Sequence, residues 1–257
     1  MTPTMKQTVQ ILCGALVAAA LAAPSRADET PPPAETNAPS AAAEAAAGPA
    51  VETILLPGGV ALEMVRIPGT NFCMGKFEVT QAQWEAVTGS NPAKFKNPLN
   101  PVEHISCADC EAFCEKLNEL EETKASGLTF RLPTSREWEF ACRAGSKKRF
   151  TRLADGREIV RETLDEVAWY GDSSGGVAHP VGQLKPNAFG LYDVLGNLWE
   201  WTSTPAESPQ GEKRVNRGGS LDDNGWVCQA HFVNKLFPHL RRLNNGFRLC
   251  ADLPAEP

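Results

Sequence analysis

Asp193-Val-Leu-Gly196-Asn197-Leu198-Trp199-Glu200 sets two carboxylates seven residues apart around a glycine. Calcium takes about six to eight hard oxygens, from carboxylates and backbone carbonyls, in a loop that wraps the ion. Gly196 permits the tight or left-handed turn that aims carbonyls inward. The spacing suits a solvated turn as well, because no EF-hand loop is present. A second cluster runs from Arg217-Gly-Gly-Ser220 through Asp223 to Cys228. A thiolate is a soft ligand and a carboxylate a hard one, so the two make a mismatched pair for a single metal. Alternatively, Arg-Gly-Gly-Ser is a turn of the fold and Cys228 a packed or disulfide-bonded residue. A third cluster, His104, Cys107, Cys110 and Cys114, has the outward form of a zinc or redox motif. On a helix, however, its cysteines share one apolar stripe with Leu117 and Leu120. Zinc knuckles use a turn between cysteines, and neighbours on one helix rarely reach disulfide geometry. Core packing or long-range disulfides are the expected roles. His179, His231 and His239 carry no spacing that marks a triad.

The elements that must position these residues are short. Val60–Ile67 and Phe72–Val79 alternate as two strands, with Pro68-Gly69 turning between them. Thr80–Val87 reads as a helix with Thr80 as N-cap. Ser106–Leu120 carries the clearest helical stripe. Thr134–Ala144 is a third helix, with Glu137 placed for a capping box. The rest of the body is loops and short strands, anchored by six tryptophans in the whole chain. No βαβ rhythm or internal repeat is visible, and the class is α+β with a large irregular share.

The chain has 257 residues and a formal net charge of −6, which argues against a nucleic-acid partner. No apolar run in the body approaches the ~18 residues of a membrane span. Residues 1–27 read as a cleaved secretory signal: Lys6, the apolar run Ile11–Ala23, then Ser25-Arg26-Ala27 with small residues at the peptidase positions. A lipid anchor at Cys13 is the rival, and Gln10-Ile11-Leu12 is a poor context for it. Residues 28–50, Ala- and Pro-rich and without an aromatic, read as a disordered linker. The folded domain is expected over residues 51–257. An exported chain then lies in the periplasm or outside the cell, with no transmembrane segment after cleavage. It retains seven cysteines, an odd count that leaves at least one thiol free, modified or paired between chains.

Six motifs in order, KFEVTQAQWEAVTG (76–89), NPVEHIS (100–106), FRLPTSREWEFACRAG (130–145), PNAFGLYDVLGNLWEWT (186–202), RVNRGGS (214–220) and NNGFRL (244–249), resemble the sulfatase-modifying-factor family. Its founding member is the formylglycine-generating enzyme. The resemblance implies a single loop-rich, C-type-lectin-like α+β domain. It further implies structural calcium on the side chains of Asp193 and Glu200 and the carbonyls of Gly196 and Leu198. Ser220 and Asn244 match active-site positions. The family's copper cysteines stand three and eight residues after that serine. Here position eight is Cys228 and position three is Asp223. The family's disulfides suggest Cys114–Cys250 and Cys142–Cys228, although Cys250 stands one residue past the family position, which is Leu249 here. The expectation is an exported, calcium-stabilised, non-catalytic or divergent domain that binds a protein, peptide or other ligand, with copper not held as in the family. The alternative is a copper-dependent oxidase that converts a cysteine of a client sulfatase to formylglycine.

Overall fold

The computed structural model describes residues 49–254. The signal-peptide expectation and all but the last two residues of the linker lie outside them. Three helices start where the sequence places them, each through a reciprocal capping box that satisfies two end donors. Thr80 caps α1 (Gln81–Thr88), Ser106 caps α2 (Cys107–Glu119), and a short turn α3 (Glu121–Lys124) follows. Thr134 caps α4 (Ser135–Arg143) with Glu137 as its return partner. Gly89 ends α1 in the left-handed region, at φ 76°.

One sheet has the order β1-β2-β3-β11-β4, from Val51–Leu56, Val60–Arg66, Phe72–Gly75, Cys250–Asp252 and Thr129–Arg131. A second has the order β10-β7-β8-β9, from Asn245–Phe247, Trp199–Ala206, Lys213–Arg217 and Asn234–Leu236. A third pairs β5 (Ala168–Trp169) with β6 (Leu195–Gly196). The second strand foreseen from alternation stops at Gly75, four residues short of Val79. No helix among the described residues is long and apolar enough to cross a membrane.

Strand alternation divides the interior into two cores on opposite faces of the first sheet. Met64, Cys73, Phe130, Leu249 and Ala251 join Trp84, Phe113, Cys114 and Leu117 of α1 and α2 in one core. Val65, Phe72, Met74 and Cys250 join Trp138, Cys142 and Cys228 in the other.

This alternation corrects the expected Cys114–Cys250 bridge. Leu249 faces the α2 side where Cys114 lies, and Cys250, one residue on, points to the opposite face. A one-residue offset in a strand exchanges its faces. Cys142 and Cys228 do share a core, yet both are thiols rather than a disulfide. All seven described cysteines are free and buried.

Candidate functional site

The turn from Asp193 to Leu198 is wound through left-handed backbone at Asp193, Gly196 and Asn197, with φ of 52°, 76° and 54°. A Cβ on Gly196 would stand 2.2 Å from the Trp169 carbonyl oxygen, so only glycine fits. The Asn197 amide donates to that same oxygen at 2.7 Å. The Asn197 side chain donates to Glu78 at 2.6 Å and accepts from the His179 amide at 3.1 Å. His179 stacks on Trp169, with ring centroids 3.9 Å apart.

Behind this turn lies a buried charge cluster of Glu78, Asp193, Glu200 and Arg248. Arg248 donates to both Glu200 oxygens, at 2.9–3.2 Å, and to the carbonyls of Gly75 (2.9 Å) and Tyr192 (2.7 Å). Trp138 Nε1 adds a 2.6 Å bond to Glu200 Oε2. Glu78 accepts from Asn197 and from the Leu198 amide at 3.0 Å. Asp193 Oδ2 accepts from the Gly182 amide at 2.7 Å, and Oδ1 is buried with no partner. Burial raises the Asp193 carboxyl to about 6, against the Gly182 hydrogen bond and the Arg248 charge. Burial, then the charges of Glu200 and Asp193, push Glu78 well above the usual carboxylate range. Three carboxyl groups thus share one guanidinium.

Of the expected calcium residues, Asp193 retains an open oxygen. Glu200 has its oxygens occupied by Arg248 and Trp138. Glu78, Trp138 and Arg248 were not singled out from the sequence. The available signal was a lone charge inside an apolar run, at Phe77-Glu78-Val79 and Phe247-Arg248-Leu249.

Ser220 sits against the same turn, because the Leu221 amide donates to the Asn197 carbonyl at 2.8 Å. The Ser220 hydroxyl donates to Asp223 at 2.6 Å. Asn244 Nδ2 lies 3.3 Å from Ser220 Oγ and 3.2 Å from Asp222. The structure therefore brings Ser220, Asp223 and Asn244 together. Cys228 lies beneath Gly219, where a Cβ would approach its Sγ to 2.5 Å. Burial, reinforced by the Asp223 charge, pushes the Cys228 thiol up to about 12. Asp222 and Asn244 form part of the wall of a cleft of about 200 Å³, with Gln81, Asn100 and Glu103 among its other lining residues. No group of three or more metal-ligating side chains gathers among the described residues.

Residues 38–253 match the model of the sulfatase-modifying factor enzyme 1-like domain. A chaperone protein, LppX, of Paenibacillus barcinonensis is 31% identical, covering 66% of this chain and 74% of that one. A formylglycine-generating enzyme of Bos taurus is 29% identical over 68% of this chain, which spans half of that protein. The inactive C-alpha-formylglycine-generating enzyme 2 of Bos taurus is 32% identical, over 70% of this chain and 59% of its own. Among solved structures, Treponema denticola variable protein 1 superposes with a TM-score of 0.68 at 26% identity, covering 79% of this chain and 99% of that one.

Proposed function

Because the chain belongs to the sulfatase-modifying factor enzyme 1-like domain family, we propose that it is an exported, calcium-stabilised member that binds a protein or peptide ligand in the cleft beside Ser220, without formylglycine-generating chemistry. The observation that carries this reading is Asp223. It stands where the resemblance calls for the first copper cysteine, and its carboxylate accepts the Ser220 hydroxyl. Cu(I) in a linear site needs two thiolates, and one buried, protonated thiol beside a carboxylate does not supply them. The donor set does not fit that copper site. An inactive relative and a chaperone relative at similar identity support a protein-binding role for the fold. The N-terminal signal pattern supports export.

Calcium fits at Asp193, whose buried Oδ1 lacks a partner in a cluster where three carboxyl groups share one guanidinium. Asp193 would hold the ion with the carbonyls of Gly196 and Leu198. Glu200, already bonded to Arg248 and Trp138, would contribute charge more than coordination. The ion would supply the missing positive charge and brace the turn under Ser220.

The test is incubation with copper and a cysteine-containing sulfatase peptide, read by the mass loss of aldehyde formation. No conversion is expected from the wild type. Turnover abolished by Cys228→Ser would instead establish the oxidase. Activity gained only with Asp223→Cys would identify the missing thiolate as the cause of silence.

A further inference from the structure

The densest run of positive charge in the sequence lies on a face of the body apart from the cleft beside Ser220. From Arg143 to Arg152 stand five cations, Arg143, Lys147, Lys148, Arg149 and Arg152, and no acid, in a chain whose net charge is −6. α4 leads into this run and extends it. Its inward stripe is Trp138, Ala141 and Cys142, and its outward one is Arg136, Phe140 and Arg143, at three- and four-residue steps. Arg136, Lys147, Lys148, Arg149 and Arg152 are exposed, and among the described residues their side chains form no ion pair or hydrogen bond. The bordering acids are already engaged: Glu139 with Arg143 at 2.7 Å and Arg217 at 3.0 Å, Asp155 with Arg157 at 2.8 Å, and Glu158 with the Ser146 hydroxyl. Unpaired cations are thus presented together on one face.

An apolar element is set among these charges. Phe140 is 47% exposed and pairs with Phe189, the ring centroids 6.0 Å apart. The segment carrying Phe189 is tied to the basic run, because the Ala188 amide donates to the Arg152 carbonyl at 2.6 Å. Pro49, the first described residue, packs on Gly190, where a Cβ would stand 2.7 Å from the proline ring. The polypeptide therefore enters the folded body at the border of this face. The apolar run Ile11–Ala23, expected to engage the membrane during export, precedes that entry in the sequence.

We propose that this face docks on an anionic lipid surface, with Arg136, Lys147, Lys148, Arg149 and Arg152 among the head groups and Phe140 at the boundary with the acyl chains. Charge complementarity carries the assignment, and the entry point of the chain supports it. An anionic leaflet attracts each Lys or Arg held near it. An exposed aromatic ring among such cations adds apolar burial at the same interface. The cations are spread along a helix face and the turn after it, which suits a plane of charges better than one bound anion. None of these residues lines the cleft beside Ser220, so the assignment stands apart from the ligand bound there.

The experiment acetylates the lysines of the full chain in the presence of vesicles and reads each site by mass spectrometry. Vesicles containing phosphatidylglycerol are compared with vesicles of phosphatidylcholine alone. Lys147 and Lys148 report on the face, and Lys94 and Lys96, exposed beside Phe95 of the cleft wall, are internal controls. Insertion of Ile11–Ala23 would be common to both vesicle types, so the comparison isolates the face. Lys147 and Lys148 are expected to be protected by the anionic vesicles only, and to react again in about 0.5 M salt, which screens the attraction. Arg149→Glu with Arg152→Glu keeps both reporters. At about fivefold per cation, that pair should raise the lipid needed for half-protection by about 25-fold or more. Phe140→Ser should weaken protection as well. Equal protection by the two vesicle types, protection by neither, or indifference to the double variant would overturn the proposal. Protection by polyglutamate but not by anionic vesicles would overturn it in favour of an acidic protein partner.

Discussion

Arg248→Met removes the only guanidinium from the buried cluster and retains much of its aliphatic volume. Five hydrogen bonds are lost, three of them to Glu200 and one each to the carbonyls of Gly75 and Tyr192. Glu200 would keep only Trp138, with the carboxyl groups of Glu78 and Asp193 as its neighbours. Removing one partner of a buried ion pair costs about 3–5 kcal/mol, because the survivor is left charged and unpaired. Against the roughly 5–15 kcal/mol that holds a typical domain together, this is a large fraction. With a urea m-value of about 2 kcal/mol per M, the unfolding midpoint should fall by about 2 M. Arg131→Met is the control. Arg131 binds Glu137 and Asp252 at 2.7 Å, but its side chain is 31% exposed, and screening by water limits such pairs to about 0–1 kcal/mol. Adding Glu200→Gln to the Arg248 variant removes the stranded charge and should recover part of the loss, a coupling of about 1–3 kcal/mol. Equal costs for the two arginines, or no recovery by Glu200→Gln, would refute the account of the cluster.

Calcium over chelator should raise the melting temperature. At ~100 times Kd the linkage is worth about 2.7 kcal/mol, or roughly 5–10 °C for a domain of this size. Asp193→Asn should abolish that shift, and a wild type indifferent to chelator would remove calcium from the account. Without reductant, all seven described cysteines should resist a thiol reagent in the native protein and react after denaturation, and a deficit of two would indicate a disulfide. Burial raises the Glu137 carboxyl, but the Arg131 hydrogen bonds and the Thr134 cap outweigh it and hold the group below its ordinary 4.5. A carboxylate depressed in the folded state stabilises above its unfolded value and loses that contribution as pH falls through the folded one. Glu137→Gln should therefore lessen the loss of stability on acidification below about pH 4.5, and an unchanged acid limb would contradict this assignment.

Helix starts were legible because capping is local. Thr80, Ser106 and Thr134 each stand three residues before the side chain that returns their bond. The left-handed turn at Gly196 was legible for the same reason. The charge cluster was not, because Glu78 meets Asn197 across 119 residues and Glu200 meets Arg248 across 48. The Cys114–Cys250 pairing failed on a single register step, since the sheet assigns Leu249 and Cys250 to different faces. Glu103 was not singled out from the sequence. Only the fold gives it two amide donors on one oxygen and none on the other.

The place of β11 bears on the order in which the chain can fold during synthesis. Cys250–Asp252 lies between β3 and β4, pairing Cys250 with Met74 on one side and Arg131 on the other. β10, just before it, pairs in parallel with β7. Until this C-terminal stretch emerges, β3 and β4 each keep an open edge, and neither larger sheet is complete. Early folding is thus limited to local units, such as the β1–β2 hairpin and the capped helices, with exposed edges that invite pairing with other chains. A nascent chain of this kind stays open to handling by other factors until its last strand arrives. Deletion of that strand should therefore yield an aggregating body rather than a smaller folded domain.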